Sequence, residues 1–232
     1  MPRFFLCILL LFLTALFYIY RAKQSELFQE KELELSEGRM AIMLSQIQPH
    51  FLYNSFVAIK QLCDINPKAA KDAVTEFSDY LRGNLDSLTL KTLILFNKEL
   101  KHIENYLALE KRRFGDKLKI VYDFKAQDFM LPALTLQPIV ENAVRYGVTK
   151  KEEGGTVIIE TSETETHILI KISDDGVGFN LEEVKQDGRS HIGIENVRNR
   201  LSAMCNGTLR IESEIDVGTT ATISIPKESD LL

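Results

Sequence analysis

The period of the apolar residues changes at Gly115, and that change limits the chain to a helical region followed by a mixed α/β one. Before Gly115, apolar residues recur every three or four positions. Leu44, Ile47, Phe51, Ala58 and Leu62 form one stripe, Ala70, Val74, Phe77 and Leu81 a second, and Leu100, Ile103, Leu107 and Phe114 a third. Each predicts an amphipathic helix. Asn66 and Pro67 are a favoured N-cap and first helical residue for the second; the third starts near Asn97, with Glu99 in its first turn. Stripes this narrow call for partner helices, so a bundle formed with a second copy of the chain is expected. After Gly115, residues 119–124, 156–161, 167–173, 208–213 and 220–225 read as strands. A short helix over 138–146, closed by Gly147, and a later one carrying Ile194, Val197, Leu201 and Met204 are interleaved with them. That order predicts an α/β (α+β) sandwich.

Residues 4–20 carry no charge and are almost wholly apolar, with Arg3 before them and Arg21 and Lys23 after. As a helix the run rises about 25 Å, a little short of a hydrocarbon core, and Tyr18, Tyr20 and the flanking arginines suit the interfaces. Tyr18-Ile19-Tyr20 offers no small-residue cleavage site, so an uncleaved membrane anchor is expected in preference to a signal peptide. The basic residues after it favour a cytoplasmic location for the bulk of the chain, with only a few residues beyond the anchor and no extracellular sensor domain. The polar, Glu-rich stretch from Ala22 to about Leu44 reads equally as a short parallel coiled coil or a solvated helical spacer. A net charge of −5 argues against a dedicated nucleic-acid binder. The three cysteines are scattered and lack metal-ligand spacing, which suits reduced thiols.

Five stretches carry chemistry. In Gln46-Ile47-Gln48-Pro49-His50-Phe51-Leu52-Tyr53-Asn54, helical spacing puts Gln46 and Asn54 on the face of His50. Pro49 deprives the Ser45 carbonyl of its usual donor and predicts a kink beside the imidazole. A near-neutral pKa leaves one ring nitrogen free to act as a nucleophile. In Leu136-Gln137-Pro138-Ile139-Val140-Glu141-Asn142-Ala143, the apolar residues face the core, and Glu141 and Asn142 lie towards the opposite side as hard oxygen donors suited to Mg²⁺. In Ile172-Ser173-Asp174-Asp175-Gly176-Val177-Gly178-Phe179 a strand ends on two carboxylates and two glycines, where backbone can approach a flat ligand and a carboxylate can accept from an exocyclic amine. From Gly188 to Arg200 a loop ends at Gly193 just before a helix, a setting suited to phosphate, with Asn196 and Arg200 one turn apart. Val217-Gly218-Thr219-Thr220 turns into the last strand. Taken singly, these read as a surface histidine, an amphipathic helix, an Asp-Gly turn, a flexible loop and a hairpin.

Their order is specific. On these stretches the chain resembles the sensor histidine kinases of the LytS/YehU type, whose ATPase domain belongs to the GHKL superfamily of gyrase, Hsp90, histidine kinase and MutL. The likeness runs from about residue 41 to 226, and Arg113-Phe114-Gly115-Asp116 is similar to the family's junction between its two domains. With the anchor placed over 1–22 and a helical linker over 23–40, the resemblance implies dimerisation and phospho-acceptor helices over 41–115 and an ATP-binding domain over 116–232. It implies that His50 is the phospho-acceptor, that Asn142 coordinates Mg²⁺ with Glu141 beside it as a catalytic residue, and that Asp174 reads the adenine amine. Gly176 and Gly178 would shape the nucleotide floor, Gly193, Asn196 and Arg200 would belong to the phosphate side, and Thr219 would complete the adenine pocket through water. Implied cofactors are ATP and Mg²⁺; implied partners are a second copy of the chain and an aspartate-bearing response regulator, often one with a LytTR DNA-binding domain, with no direct nucleic-acid contact.

The chain departs from the family pattern twice. Tyr146-Gly147 replaces His-Gly, and Asp174-Asp175-Gly176 replaces Asp-Asn-Gly. The extra carboxylate would either repel phosphates or point to solvent. Two other readings follow: a degenerate kinase acting as a non-catalytic membrane adaptor, and a GHKL clamp doing conformational work, against which the His50 motif speaks.

Overall fold

The computed structural model describes residues 49–89, 92–180 and 192–227, together with Phe17, Tyr18, Tyr20, Arg21, Lys23, Gln24 and Lys31. The chain divides into two compact units, Met1–Phe51 and Leu52–Leu232. In the first, the described residues are helical and Gln24 Nε2 donates to Tyr20 Oη at 3.2 Å. The expected anchor lies outside the described residues except for Phe17, Tyr18, Tyr20 and Arg21, as do nearly all of the linker and the backbone that Pro49 was expected to kink. Among the described residues no helix is long and apolar enough to cross a membrane.

Helix α1 spans Pro49–Ile65 and α2 Pro67–Thr89. The break between them follows from Asn66, whose Oδ1 accepts from Ala69 N–H at 3.1 Å, as an N-cap does ahead of a proline at the first helical position. A short strand β1, Leu93–Leu95, leads into α3, Phe96–Phe114. Gly115 ends α3 with φ 58°, and its N–H donates to the Lys111 carbonyl, a left-handed stop that glycine adopts at little cost. Helices α2 and α3 pack together. The two-pronged pair of Arg112 with Glu76, at 2.9 and 2.7 Å, ties their solvent side.

The buried stripe of α2 differs from the expected one. Ala70, Ala73, Phe77, Tyr80 and Asn84 are buried, whereas Val74 is exposed and Leu81 half-buried. Alternating steps of three and four hold that stripe on one face over the whole helix. The polar Tyr80 and Asn84 are drawn in because polar partners wait for them at His102 of α3 and at Gln137 and Glu141 farther along the chain.

The second half is a sheet with helices on it. Strands β2 (Leu118–Phe124), β4 (Gly155–Glu163), β5 (His167–Asp174), β6 (Thr208–Glu214) and β7 (Gly218–Pro226) form a five-stranded sheet in the order β2-β4-β5-β7-β6. The β2–β4 pair is parallel and the others antiparallel. Period-two alternation puts Val157, Ile159, Ile168, Ile170, Ile172, Leu209, Ala221, Ile223 and Ile225 in the core. The other face is left to pairs such as Glu160 and Lys171, opposite each other in register and 3.4 Å apart. Strand β3, Met130–Pro132, pairs with β1 as a separate two-stranded ribbon. Helix α4, Gln137–Asn142, runs into a π turn over Ala143–Gly147, and helix α5 spans Ile192–Cys205. Val197 and Leu201 of α5 and Ile139, Val140 and Val144 around α4 are buried. The result is a helical region followed by an α/β sandwich, the fold class expected. Neither β1 nor β3 was expected. Each is three residues long, too short to leave a pattern, and each depends on a partner far along the chain.

Candidate functional site

Strand β5 delivers the Asp174 carboxylate to one end of the sheet, where the side chain is buried. Gly176 N–H donates to Asp174 Oδ1 at 3.0 Å. Thr219, which faces Asp174 across the β5–β7 pairing, donates its backbone N–H to the same carboxylate. Burial is the main reason that the pKa of Asp174 stands raised at about 6; the Gly176 donor lowers it, Asp175 raises it and the Thr219 donor lowers it. At neutral pH the group is mostly ionised, and so a pure acceptor.

Small residues let the surrounding backbone close on this carboxylate. A Cβ at Gly147 would collide with Asp174 Oδ1, and one at Gly176 with the Gly147 backbone. Gly147 ends the π turn that follows Glu141 and Asn142, so the segment carrying those two residues is seated directly on Asp174. A π turn within a helix often marks a functional site. Gly178, at φ +59°, lies against the Glu214 carbonyl, and Val177 O accepts from Asp216 N–H at 2.8 Å. Thr219 Oγ1 and Ser213 Oγ are 3.0 Å apart. The structure thus gathers Asp174, Gly176, Gly178 and Thr219 around one strand end, with Asn142, half-buried, on the neighbouring helix end.

Two departures from the family pattern resolve in geometry. Asp175 Oδ1 accepts from Thr156 N–H at 2.6 Å, at the start of β4; the extra carboxylate is engaged by backbone. Tyr146 is exposed, and the Arg145 guanidinium lies 5.0 Å from its ring centroid.

Glu141 corrects the sequence reading. It was expected on the side away from the core, yet it is buried beneath α4. Tyr80 Oη donates to its Oε1 at 3.2 Å and Gln137 Nε2 donates to the same oxygen at 2.7 Å. Gln137 Nε2 also lies 3.0 Å from Asn84 Oδ1 and 3.3 Å from Tyr80 Oη, and His102 Nε2 lies 3.4 Å from Asn84 Oδ1. The His102 ring stacks on Tyr80 at 5.6 Å, and a Cβ at Gly83 would collide with it. Burial lowers the His102 pKa, and burial followed by the Glu141 charge raises that of Tyr80. Farther along the same face of α3, burial raises Glu110 to about 7 against the lowering effect of Arg113. A cue for this layer was present in the sequence: Glu99, His102, Tyr106 and Glu110 recur at helical spacing on the buried side of α3.

Gly193 and Asn196 are exposed in the first turns of α5, and the nearest atom to a Cβ at Gly193 would be Pro138 Cβ, at 4.0 Å. Arg200 is half-buried, and its Nη1 donates to the Ala133 and Leu134 carbonyls. His50 lies in the first turn of α1, and its side chain and the loop over 181–191 are outside the described residues.

An α/β sandwich whose strand-end carboxylate sits under a Glu-Asn helix end defines the class of the GHKL-type ATPase units. Sequence comparison agrees. Residues 39–118 match the model of the histidine kinase family, and residues 128–229 match that of the histidine kinase-, DNA gyrase B- and HSP90-like ATPases, a family that implies ATP binding. The chain is 37% identical over 194 residues to the uncharacterized protein YwpD of Bacillus subtilis, covering 80% of this chain and 69% of that one. It is 32% identical to the sensor histidine kinase YpdA of Escherichia coli (83% of this chain, 35% of that one) and 30% identical to the sensor protein LytS of Bacillus anthracis (88% and 36%). It therefore spans about a third of the length of these sensor kinases. Among solved structures, the histidine kinase AdeS of Acinetobacter baumannii aligns with a TM-score of 0.48 at 18% identity, over 84% of this chain and 95% of that one. The chain belongs to the histidine kinase family, and the sensor kinases it is similar to include those of the LytS type.

Proposed function

We propose that this chain is an active protein-histidine kinase that transfers the γ-phosphoryl group of Mg-ATP to its own His50 and then to an aspartate of a response regulator. The observation that carries the reading is the seating of Gly147 on Asp174, which joins the Glu141–Asn142 segment and the strand-end acceptor in one site.

The residues suit the cofactors on chemical grounds. The Asp174 carboxylate, oriented by the Gly176 and Thr219 N–H groups, is an acceptor fit for the adenine amine. Gly176 and Gly178 let backbone line the floor beside a flat base, and Thr219 borders it. The Asn142 amide oxygen is a hard donor of the kind Mg²⁺ accepts alongside phosphates and water. When bound, the ion neutralises charge on the phosphates. Gly193 and Asn196 present backbone and amide donors on the phosphate side. Glu141, held by Tyr80 and Gln137, steadies the helix end that carries Asn142. An unprotonated ring nitrogen of His50 attacks the γ-phosphorus; the P–N bond forms as the bond to the ADP oxygen breaks. Catalysis of this kind is mostly alignment and charge neutralisation.

The same reading carries the domain limits at 22, 40 and 115, a homodimer, a single-pass anchor in the bacterial cell membrane with the catalytic part cytoplasmic, and a response regulator of the LytTR type. Incubating the full chain with γ-labelled ATP and Mg²⁺ tests it. Acid-labile, alkali-stable label that disappears in His50→Gln is expected; label that survives the substitution would reject the acceptor.

A further inference from the structure

Helix α4 is aimed by the four residues before it, and two charged side chains on different helices, Glu99 buried and Arg200 half-buried, grip them. Glu99 of α3 is 1% exposed. Its Oε2 accepts from Leu134 N–H and its Oε1 from Leu136 N–H, both at 3.0 Å. The backbone N–H groups of Gln137 and Thr135 also donate to it. Arg200 of α5 donates through Nη1 to the carbonyls of Ala133 and Leu134. The carboxylate takes the donors of the segment and the guanidinium takes its acceptors, so each meets the only backbone groups it can bind. The segment needs such a grip. Leu134 holds φ +56°, a left-handed conformation that a leucine keeps only when its surroundings impose it. Gln137, the first residue of α4, follows directly, and Asn142 and Gly147 lie within the next turns.

We infer that Glu99 and Arg200 are paired positioning residues that fix the 133–136 segment and thereby set Asn142 and Gly147 against Asp174, with Arg200 acting through backbone carbonyls and not as a phosphate ligand. This rests on the reading of the site as a Mg-nucleotide site. It gives the helix after the glycine loop a mechanical link to the metal-bearing helix. Gly193 lies beside Pro138 at one end of that contact and Arg200 holds the segment at the other. The Nη1 donors of Arg200 are committed to these two carbonyls.

Amide hydrogen exchange on the full chain in detergent, without nucleotide, tests the pair, using Glu99→Gln, Arg200→Gln and Arg200→Lys. Gln at 99 sets an amide donor against backbone donors, and Gln at 200 removes the charge. Both are expected to speed exchange over 134–147 by about tenfold or more, with β4, β5 and β7 unaltered. Arg200→Lys, which keeps a charged donor, should fall between. In labelling with Mg-ATP, the two Gln variants should need more Mg²⁺ and lose kcat more than they raise KM for ATP, and combining them should add little. Weaker Mg-ATP binding in Arg200→Gln with unaltered nucleotide-free exchange would overturn the inference in favour of a direct phosphate contact. Exchange that rises throughout the sheet would overturn it in favour of a general loss of stability. Absent Mg-ATP binding by the parent chain would overturn the site reading itself, and the positioning role with it.

Discussion

The floor around Asp174 and the polar layer beneath α4 are both built of buried hydrogen bonds, but they are assembled on different scales. At the floor, the Asp174 carboxylate is held by Gly176, two residues on, and by Thr219, its register partner on the adjacent strand. Beneath α4, Tyr80 meets Glu141 across 61 residues, Gln137 meets Asn84 across 53 and His102 meets Asn84 across 18. The floor is a local motif completed by one strand pairing. The layer exists only once three helices have packed, and Asn84 Nδ2 and Gln137 Oε1 remain without partners in it. Chemistry that must meet a ligand is therefore written in short motifs, whereas the support for that chemistry is written in the tertiary fold.

Substitutions can break or sharpen this contrast. The largest effect is expected from Gly147→Ala, which drives a methyl into the Asp174 carboxylate. It should weaken binding of a fluorescent ATP analogue about a hundredfold and destabilise the fold by about 2 kcal/mol; an unaltered Kd in titration would separate the Glu-Asn helix end from the Asp174 floor. Next comes Asp174→Asn, which exchanges an acceptor for a donor. ATP affinity should fall by roughly tenfold or more while the unfolding free energy moves by less than about 1 kcal/mol, as read by calorimetric titration and by urea melts.

The raised pKa of Asp174 gives a signed pH dependence. The ionised form is the acceptor, so affinity should hold above the value of about 6 and decline as pH falls through it. Below that value the decline approaches tenfold per unit. Titrations from pH 8 to pH 5 should show this in the parent and not in Asp174→Asn; equal slopes in the two would assign the proton elsewhere. In the polar layer, Tyr80→Phe removes one donor to Glu141 and should cost about 1 kcal/mol of stability, with ATP affinity within about threefold of the parent. A loss of affinity as large as that of Asp174→Asn would erase the distinction between floor and support. The smallest effect is expected at the α2–α3 rim, where Glu76→Gln breaks a pair with Arg112 that borders solvent and should cost less than about 1 kcal/mol in melts.

Much of the fold could be read from alternation and caps. The sheet strands follow period two, the α1–α2 break follows Asn66-Pro67, and the α3 stop follows Gly115. The turns around Asp174, Gly176, Gly178 and Thr219 left local marks, but it was the family resemblance that joined them as one set. The β1–β3 ribbon was not, since three residues carry no period. Val74 was assigned to the core of α2 because it is apolar, yet the polar Tyr80 and Asn84 took the buried face once α3 and α4 offered partners. Glu99 read as an acidic residue favourable in a first helical turn; its backbone donors lie 35 and 37 residues away, beyond any local pattern. Arg200 read as a phosphate-side cation for the same reason, because the carbonyls that it meets are 66 and 67 residues earlier.

The claim that the site feeds a phosphoryl group to one imidazole is tested most directly by mass spectrometry of the full chain after incubation with Mg-ATP, under fragmentation that preserves P–N bonds. The account predicts phosphohistidine at His50 in the parent chain, strongly reduced in Asp174→Asn. A chain that binds and turns over ATP while the His50 ring stays unmodified, or that carries the phosphoryl group on another residue, would contradict it.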